Sequence, residues 1–424
     1  MRTIRPTTTR RHAIKGLAAA VTAPWVVPAL AASTKPIRIA LSVAQTGQFG
    51  VGDHEDYYKG AKLALKEINS AGGVRGRELK FEVFDINLLS PEGTQATYRA
   101  IADAKPQAIG TAFSVIGRPM LEGLGDYHAP LLHGSTQQNI IDIVKANPAK
   151  YWHVFEVDPP DTYYGLMFPR FLEELAAGGV WKPINNKVHI IREQSAYNQT
   201  IAKAAVKAMK HSKFHLARIT DVISPVQDWG PVIEDLKQSG AGVIMCDHWV
   251  AAEEAAFCQA FVADPVKGAL VYLQYGPSQS EFLSIAGHAA EGMVWSTVLG
   301  VYDDQQGAAF RKEFRANYPG TMGLCYTGSA YDTIHFLKEA WMHVDPEDFK
   351  GVADYVRTQI YRGVDGAINM NNAYQAAIQY PLQTTDLNKG MATLYFQVQD
   401  MRHKIIQPTV LAQSKFQLAP WMTA

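Results

Sequence analysis

Cysteine is scarce: three residues in 424, with no C-x-x-C among them. That excludes a disulfide-built scaffold, and neither a dithiol redox site nor a zinc ribbon has support. Cys246 and Cys258 lie twelve positions apart across a strand–helix junction, so pairing between them stays open at this level. Net charge is also lacking, with 40 Lys and Arg against 40 Asp and Glu and few basic runs. Nucleic acid is therefore not the expected partner. Beyond the amino terminus no segment approaches eighteen uninterrupted apolar residues, the length a membrane span needs. The chain has no G-x-x-x-x-G-K-[ST], no well-placed G-x-G-x-x-G, no H-E-x-x-H and no G-x-S-x-G. Nucleotide phosphates, zinc peptidase chemistry and the usual hydrolase chemistry lose their signatures with these motifs. His128 and His133 have no Cys or carboxylate at ligand spacing, so they read as a surface histidine and a cleft or core histidine. No nucleophile–base–orienter set is legible, so an enzyme is not expected, and neither a metal nor a cofactor is implied. There is no internal repeat to support a polymer-forming role.

What the chain does have begins with an address. Arg2, Arg5, Arg10, Arg11 and Lys15 occur with no acidic residue, an apolar small-residue stretch runs from Gly16 to Leu30, and Ala29-Leu30-Ala31 follows. This is the order of a secretory signal peptide, expected over residues 1–32. Thr9-Arg10-Arg11-His12-Ala13-Ile14-Lys15 is similar to the twin-arginine export motif, with Ala13 where that motif usually carries Phe. Removal of this stretch takes away five positive charges, leaving a mature chain near −5.

From there the pattern alternates strand and helix. Ile37 to Val43 reads as a strand, Tyr58, Ala61, Leu65 and Ile68 recur at helical spacing, and Gly72-Gly73 stops that helix. Leu79 to Phe84, Ala108 to Gly110 and Pro130 to His133 read as further strands, and Pro91 opens a helix running to Asp103. The alternation restarts after Pro159-Pro160, with strands at Lys187–Ile191, Leu216–Asp221, Gly242–Cys246 and Leu270–Leu273. Asn198 opens the helix after the first of these and reads as its N-cap, although Asn198-Gln199-Thr200 also fits a glycosylation acceptor. A late helix spans Tyr326 to Val344, and Leu394–Val398 with Lys404–Ile406 reads as a final strand pair. The expectation is α/β: two consecutive lobes with parallel sheets and helices on both faces. A cleft between such lobes binds ligands at the carboxyl ends of the strands.

Four stretches carry a family resemblance. Ile37 to Asn69 followed by Gly72-Gly73-Val74-Arg75-Gly76-Arg77 is similar to the opening strand, T-G loop, G-A-x-x-A helix and I-N-x-x-G-G-[VI]-x-G turn of type I periplasmic solute-binding proteins of ABC importers. Ala108 to Pro119 resembles that family's I-G-x-x-x-S segment, Glu193 to Tyr197 its D-x-x-x-Y-G position, and Ala290-Glu291-Gly292-Met293 its A-E-G-M turn. The resemblance is to the branched-chain amino acid and amide binders, and it fades after about Val364. It implies the periplasmic binding protein type I fold, two Rossmann-like lobes joined by a three-segment hinge. The corresponding partition is 33–155 and 300–370 for lobe one, and 156–299 and 371–424 for lobe two and the tail. It further implies a periplasmic monomer that closes on a small-molecule ligand and presents the closed form to an inner-membrane ABC permease. A sensing receptor domain that passes the closed state to a signalling partner uses the same fold and stays open as the alternative.

The loops after the strands nominate the site. Ser114 and Val115 precede a helix expected near Gly117, and Ser135, Thr136 and Gln137 precede another. Hydroxyls and free N–H groups at a helix start suit a carboxylate, and the resemblance places the ligand carboxylate on the same residues; simple helix capping is the competing account. From lobe two the candidates are Tyr197, the run Asp247, His248 and Trp249, and Tyr275, with Gln48 and Phe49 lining the cleft from lobe one. Trp249 and Tyr275 could sandwich an apolar body or pack as ordinary core. Amino-acid binders of this family hold the ligand ammonium with an acid near the position of Tyr275-Gly276, and this chain has none there. Either Asp247 substitutes or the ligand lacks an amine, and an amine-free carboxylate is the favoured expectation.

Overall fold

The computed structural model describes residues 35–423 except residue 48. The expected export signal and Gln48 lie outside the described residues. The first sheet consists of β1 (Ile37–Val43), β2 (Leu79–Asp85), β3 (Ala108–Thr111), β4 (Leu131–His133) and β5 (Val154–Glu156). All its pairs are parallel, in the order β2-β1-β3-β4-β5. The connecting helices are α1 (Val51–Ser70), α2 (Pro91–Ala104), α3 (Gly117–Leu124) and α4 (Gln138–Ala146). β1, β3 and β4 are buried almost throughout, as strands covered on both faces must be. Ser90 caps α2 by accepting the Gly93 N–H at 2.9 Å, with Pro91 in the first turn.

After α5 (Thr162–Ala177) the chain builds a second sheet. Its elements are β6 (Lys187–Glu193), α6 (Ala196–Met209), β7 (His215–Val222), α7 (Gly230–Ser239), β8 (Val243–Asp247), α8 (Ala251–Ala263), β9 (Leu270–Gln274), α9 (Phe282–Ala286) and β10 (Val294–Thr297). The chain then returns through α10 (Gln305–Asn317), α11 (Tyr326–His343) and α12 (Phe349–Thr358) to cover the first sheet. Gly60 of α1 sits so close to α11 that a Cβ there would lie 2.0 Å from the Thr327 carbonyl oxygen. Tyr331 donates its hydroxyl proton to Glu67 at 2.6 Å along the same seam. Two short pairs follow, the antiparallel hairpin of β11 (Ile360–Gly363) with β12 (Gly366–Asn369), and the parallel pair of β13 (Gln379–Tyr380) with β14 (Met391–Ala392). Ala376 bridges to Glu156 of the first sheet just beyond residue 370, where the return to lobe two was expected. β15 (Leu394–Gln399) and β16 (Arg402–Gln407) complete the second sheet in the order β16-β15-β10-β9-β8-β6-β7, antiparallel at that edge. The backbone thus passes between the sheets three times: after β5, after β10 and before β15.

The final strand pair is tighter than the sequence suggested. β16 starts at Arg402, and Asp400 and Met401 alone form the turn, both at φ +53°. Glu291, from the A-E-G-M turn, accepts both turn N–H groups at 2.9 and 3.1 Å, which holds two non-glycine residues in the left-handed region. The three cysteines are free and buried. Asn198 is not the N-cap of α6. Ser195 is, accepting the Asn198 N–H at 3.3 Å, and the Asn198 side chain turns inward instead.

The Gly60 contact yields a prediction. Gly60→Ala would force α1 and α11 apart at a backbone oxygen, which no side chain can relieve, and should lower stability by about 1–3 kcal/mol. Urea unfolding checks it, and an unchanged midpoint would mean that the seam is loose.

Candidate functional site

A cavity of about 180 Å³ lies between loops that follow the strands of both sheets. The first sheet contributes Phe113 and Val115 after β3 and Ser135, Thr136 and Gln137 after β4. The second contributes Ser195, Ala196 and Tyr197 after β6, Trp249 after β8 and Tyr275 after β9. Leu89 and Tyr326, the first residue of α11, complete the wall. Among the described residues, no Lys, Arg, His, Asp or Glu lines this space. Four rings run round it in sequence: Trp249 to Phe113 at 6.3 Å between centroids, Phe113 to Tyr326 at 5.5 Å, and Tyr326 to Tyr275 at 6.3 Å.

The wall is held from behind. Asp53, in the first turn of α1, accepts the Tyr275 hydroxyl at 2.7 Å and a Gln279 amide N–H at 2.8 Å. Gln279 also donates to the Trp249 carbonyl at 3.1 Å and accepts the Ala251 N–H at 2.9 Å. One carboxyl from the first sheet's helix layer therefore fixes two of the aromatic residues that the second sheet offers, Tyr275 directly and Trp249 through Gln279. Burial pushes the Asp53 carboxyl up to about 7, with Asp56 and Glu281 adding to the rise. Tyr326 donates to the Gly134 carbonyl at 2.8 Å, and Gln274 donates to the Tyr197 hydroxyl at 2.9 Å.

Of the residues nominated from sequence, Val115, Ser135, Thr136, Gln137, Tyr197, Trp249 and Tyr275 meet in this cavity. Four others are placed elsewhere. Ser114 is fully buried, its N–H donating to the Ser135 hydroxyl at 3.1 Å and its own hydroxyl accepting the Ile116 N–H at 3.4 Å, so it shapes the turn from beneath. Asp247 is fully buried and accepts the Asn198 amide at 2.8 Å, and burial holds its carboxyl well above the ordinary range. It lies outside the lining and does not replace a ligand clamp. His248 is also buried, its Nδ1 accepting the N–H groups of Trp249 and Val250 at 2.9 and 3.2 Å and its Nε2 3.3 Å from Glu253. It anchors the loop that presents Trp249. Phe49 has its ring 6.1 Å from Trp249 and lines a second space of about 370 Å³ with Asp53, Gln279 and Glu281.

The expected anion site at the start of α4 is also occupied from within. Asp161 accepts the Gln138 N–H at 3.2 Å, and Thr136 just before it takes φ +51°. Burial raises the Asp161 carboxyl to about 8, with Asp142 contributing. His133 at the end of β4 is buried, burial lowers it to about 3, and it lies 3.8 Å from Glu156. No group of three His, Cys, Asp or Glu among the described residues has the geometry to hold a metal ion.

Sequence reasoning missed Tyr326, Asp53 and Gln279. Tyr326 reaches the cavity only because the returning chain packs α11 on α1, which no local pattern reports. Asp53 carries a sequence cue that is easily misread, since an acid in a first helical turn is commonly a dipole partner.

Two predictions follow from these contacts. Asp53→Ala removes the acceptor of both cross-cleft bonds and should raise the radius of gyration in small-angle scattering with circular dichroism unchanged. An identical radius would show that these bonds do not hold the cleft shut. The second concerns pH. A carboxyl raised from about 3.8 to about 8, as in Asp161, binds its proton more tightly in the folded than in the unfolded chain. Stability therefore falls as pH rises from about 4 to about 8 and levels off beyond. Asp53, Asp56 and Asp332, each raised to about 7, act in the same direction. Asp161→Asn should flatten that decline, read as thermal midpoint against pH; an unaltered slope would remove Asp161 from it.

Comparison with known proteins fits this geometry. A sequence profile described as periplasmic binding protein matches residues 36–390. The leucine-, isoleucine-, valine-, threonine- and alanine-binding protein of Pseudomonas aeruginosa is 21% identical over 336 residues, 79% of this chain and 86% of that protein. Leu/Ile/Val-binding protein homolog 1 of Brucella abortus is 23% identical over 297 residues, 70% of this chain and 75% of that protein. A solved structure from Silicibacter pomeroyi, provisionally assigned to a branched-chain amino acid ABC transporter, superposes with a TM-score of 0.84 at 28% identity, over 91% of this chain and all of that one. The branched-chain amino acid transporter substrate-binding protein of Streptococcus pneumoniae, solved with isoleucine, gives 0.72 at 17% identity, over 88% of this chain and all of that one.

Proposed function

Because this chain belongs to the periplasmic binding protein family, whose members bind solutes without transforming them, we propose that it is the substrate-binding component of an ABC uptake transporter. Its solute is a small carboxylate-bearing molecule: an aromatic or aliphatic acid, an amide or an amino acid. The observation that carries this reading is the cavity of about 180 Å³ walled by strand-following loops of both sheets, with no acidic or basic side chain in its lining among the described residues. A space shared between two lobes is closed by moving one lobe on the other, and a ligand that touches both favours the closed form. The division into lobe one (33–155 and 300–370) and lobe two (156–299 and 371–424) belongs to this proposal. So do export by the twin-arginine route, a monomeric state and delivery to an inner-membrane permease.

The carboxylate rests on the Ser135–Thr136–Gln137 loop, where two hydroxyls and an amide face the cavity. Phe113, Trp249, Tyr275 and Tyr326 take the apolar body, each aromatic able to bury about 150–250 Å². A primary ammonium finds no carboxylate in the lining, which supports a ligand without an N–H amine. The relatives that bind leucine, isoleucine and valine support the size class of the solute.

The test is a thermal-shift panel on protein stripped of endogenous ligand by partial unfolding and refolding. It spans amino acids, amides, and aliphatic and aromatic carboxylates. A binder at about 100 times its dissociation constant stabilises by about 2.7 kcal/mol. Trp249→Ala should abolish that shift and leave the midpoint of the free protein within a few degrees. A retained shift would take Trp249 out of the site, and silence across the panel would count against solute uptake.

A further inference from the structure

The cavity walls constrain the charge of the ligand further, an inference that rests on the solute-binding reading above. Among the described residues the lining holds no cationic side chain, so a free anion would enter without a charged partner. The ionisable groups just behind the wall are carboxyls. Asp53 accepts the Tyr275 hydroxyl at 2.7 Å. Asp158 is fully buried, with the backbone N–H groups of Thr136 and of its own residue near its carboxyl and no cationic side chain paired with it among the described residues. It lies against Gly134: a Cβ there would be 3.0 Å from Asp158 Oδ2 and 3.1 Å from the Tyr326 ring. A net negative ligand would only reinforce the neutral form that burial imposes on these carboxyls, whereas a positive centre would favour their ionised form and gain a partner by it.

The hydroxyls decide what kind of positive centre fits. The Tyr275 O–H is spent on Asp53 and the Tyr326 O–H on the Gly134 carbonyl, both behind the wall. What these residues leave to the cavity is ring surface, joined by Phe113 and Trp249. The rings are inclined to one another, at 84° for Trp249 and Phe113, 42° for Phe113 and Tyr326, and 63° for Tyr326 and Tyr275. Ring faces attract a cation through their quadrupole but do not replace the acceptors that three ammonium N–H groups require. An alkylated ammonium has no N–H to satisfy. The polar loop Ser135–Gln137 then serves a carboxylate on the same molecule.

We propose that the solute is a small betaine-type zwitterion whose alkylated ammonium sits among Phe113, Trp249, Tyr275 and Tyr326. The Asp53–Tyr275 hydrogen bond strengthens this wall, because a carboxylate accepting the phenolic proton enriches the ring facing the cation.

Isothermal titration of the stripped protein tests this with glycine betaine and its carbon isostere 3,3-dimethylbutanoate, which keeps shape and carboxylate and removes the positive charge. L-Leucine and benzoate complete the set. The expected result is a preference of about tenfold or more for glycine betaine over the isostere. Trp249→Leu should reduce that preference, and Tyr275→Phe, which detaches Asp53, should reduce it less. Equal or tighter binding of the isostere overturns the proposal. Binding of L-leucine or benzoate without glycine betaine also overturns it, while leaving the solute-binding reading intact. If none of the four binds, both fail.

Discussion

A parallel sheet delivers every strand-following loop to the same edge, and the rest of this molecule is arranged around that constraint. Two such edges meet here, and the cavity is the space between them. Ser135 and its neighbours, Trp249 and Tyr275 are far apart in sequence, yet each follows a strand directly, and Tyr197 stands in the first turn of the helix after β6. Strand ends are rigid because their backbone is committed to the ladder. The residues one or two positions further on are therefore well placed without being part of the sheet.

Around this cavity the protein collects carboxyl groups that water would normally solvate. Asp53, Asp158 and Asp161 are all nearly inaccessible, and burial raises each of them. Asp53 and Asp161 repay part of that desolvation through hydrogen bonds that fix local geometry, the first to Tyr275 and Gln279 and the second to the start of α4. Asp158 is offset less, by the backbone N–H groups of Thr136 and of its own residue. Groups of this kind are retained where positioning or ligand charge matters more than stability.

The fold was legible where a single physical signal dominated. β1, β3 and β8 are short, mostly apolar runs bounded by turn residues, which suffices for a strand buried on both faces. The turn at Gly72-Gly73 was equally plain, since a Cβ on Gly73 would lie 2.1 Å from the Arg77 carbonyl oxygen. The site was legible as far as it follows strands. Side-chain direction was not: Asp247 and Trp249 are two residues apart, but one is fully buried against Asn198 while the other lines the cavity. Asn198 failed as a cap for a related reason. Ser195 competed for the same role three residues earlier, and spacing alone does not choose between them. Tyr326 enters through a contact between helices whose first residues are 275 positions apart, and no local window reaches that far.

That long-range seam has a consequence for how the chain is made. α1 offers Gly60 to a backbone oxygen of Thr327, and the helix carrying Thr327 runs to His343. A nascent chain that has completed all five strands of the first sheet still lacks the helix that covers α1, and β6 to β10 of the second sheet must be made before that helix emerges. The first lobe thus matures after the second has begun to form, and contacts of such separation slow the search for the native state. During that interval the uncovered face of α1 is an apolar surface in need of shelter, which makes the order of synthesis, and not only the final packing, part of the problem this sequence has to solve.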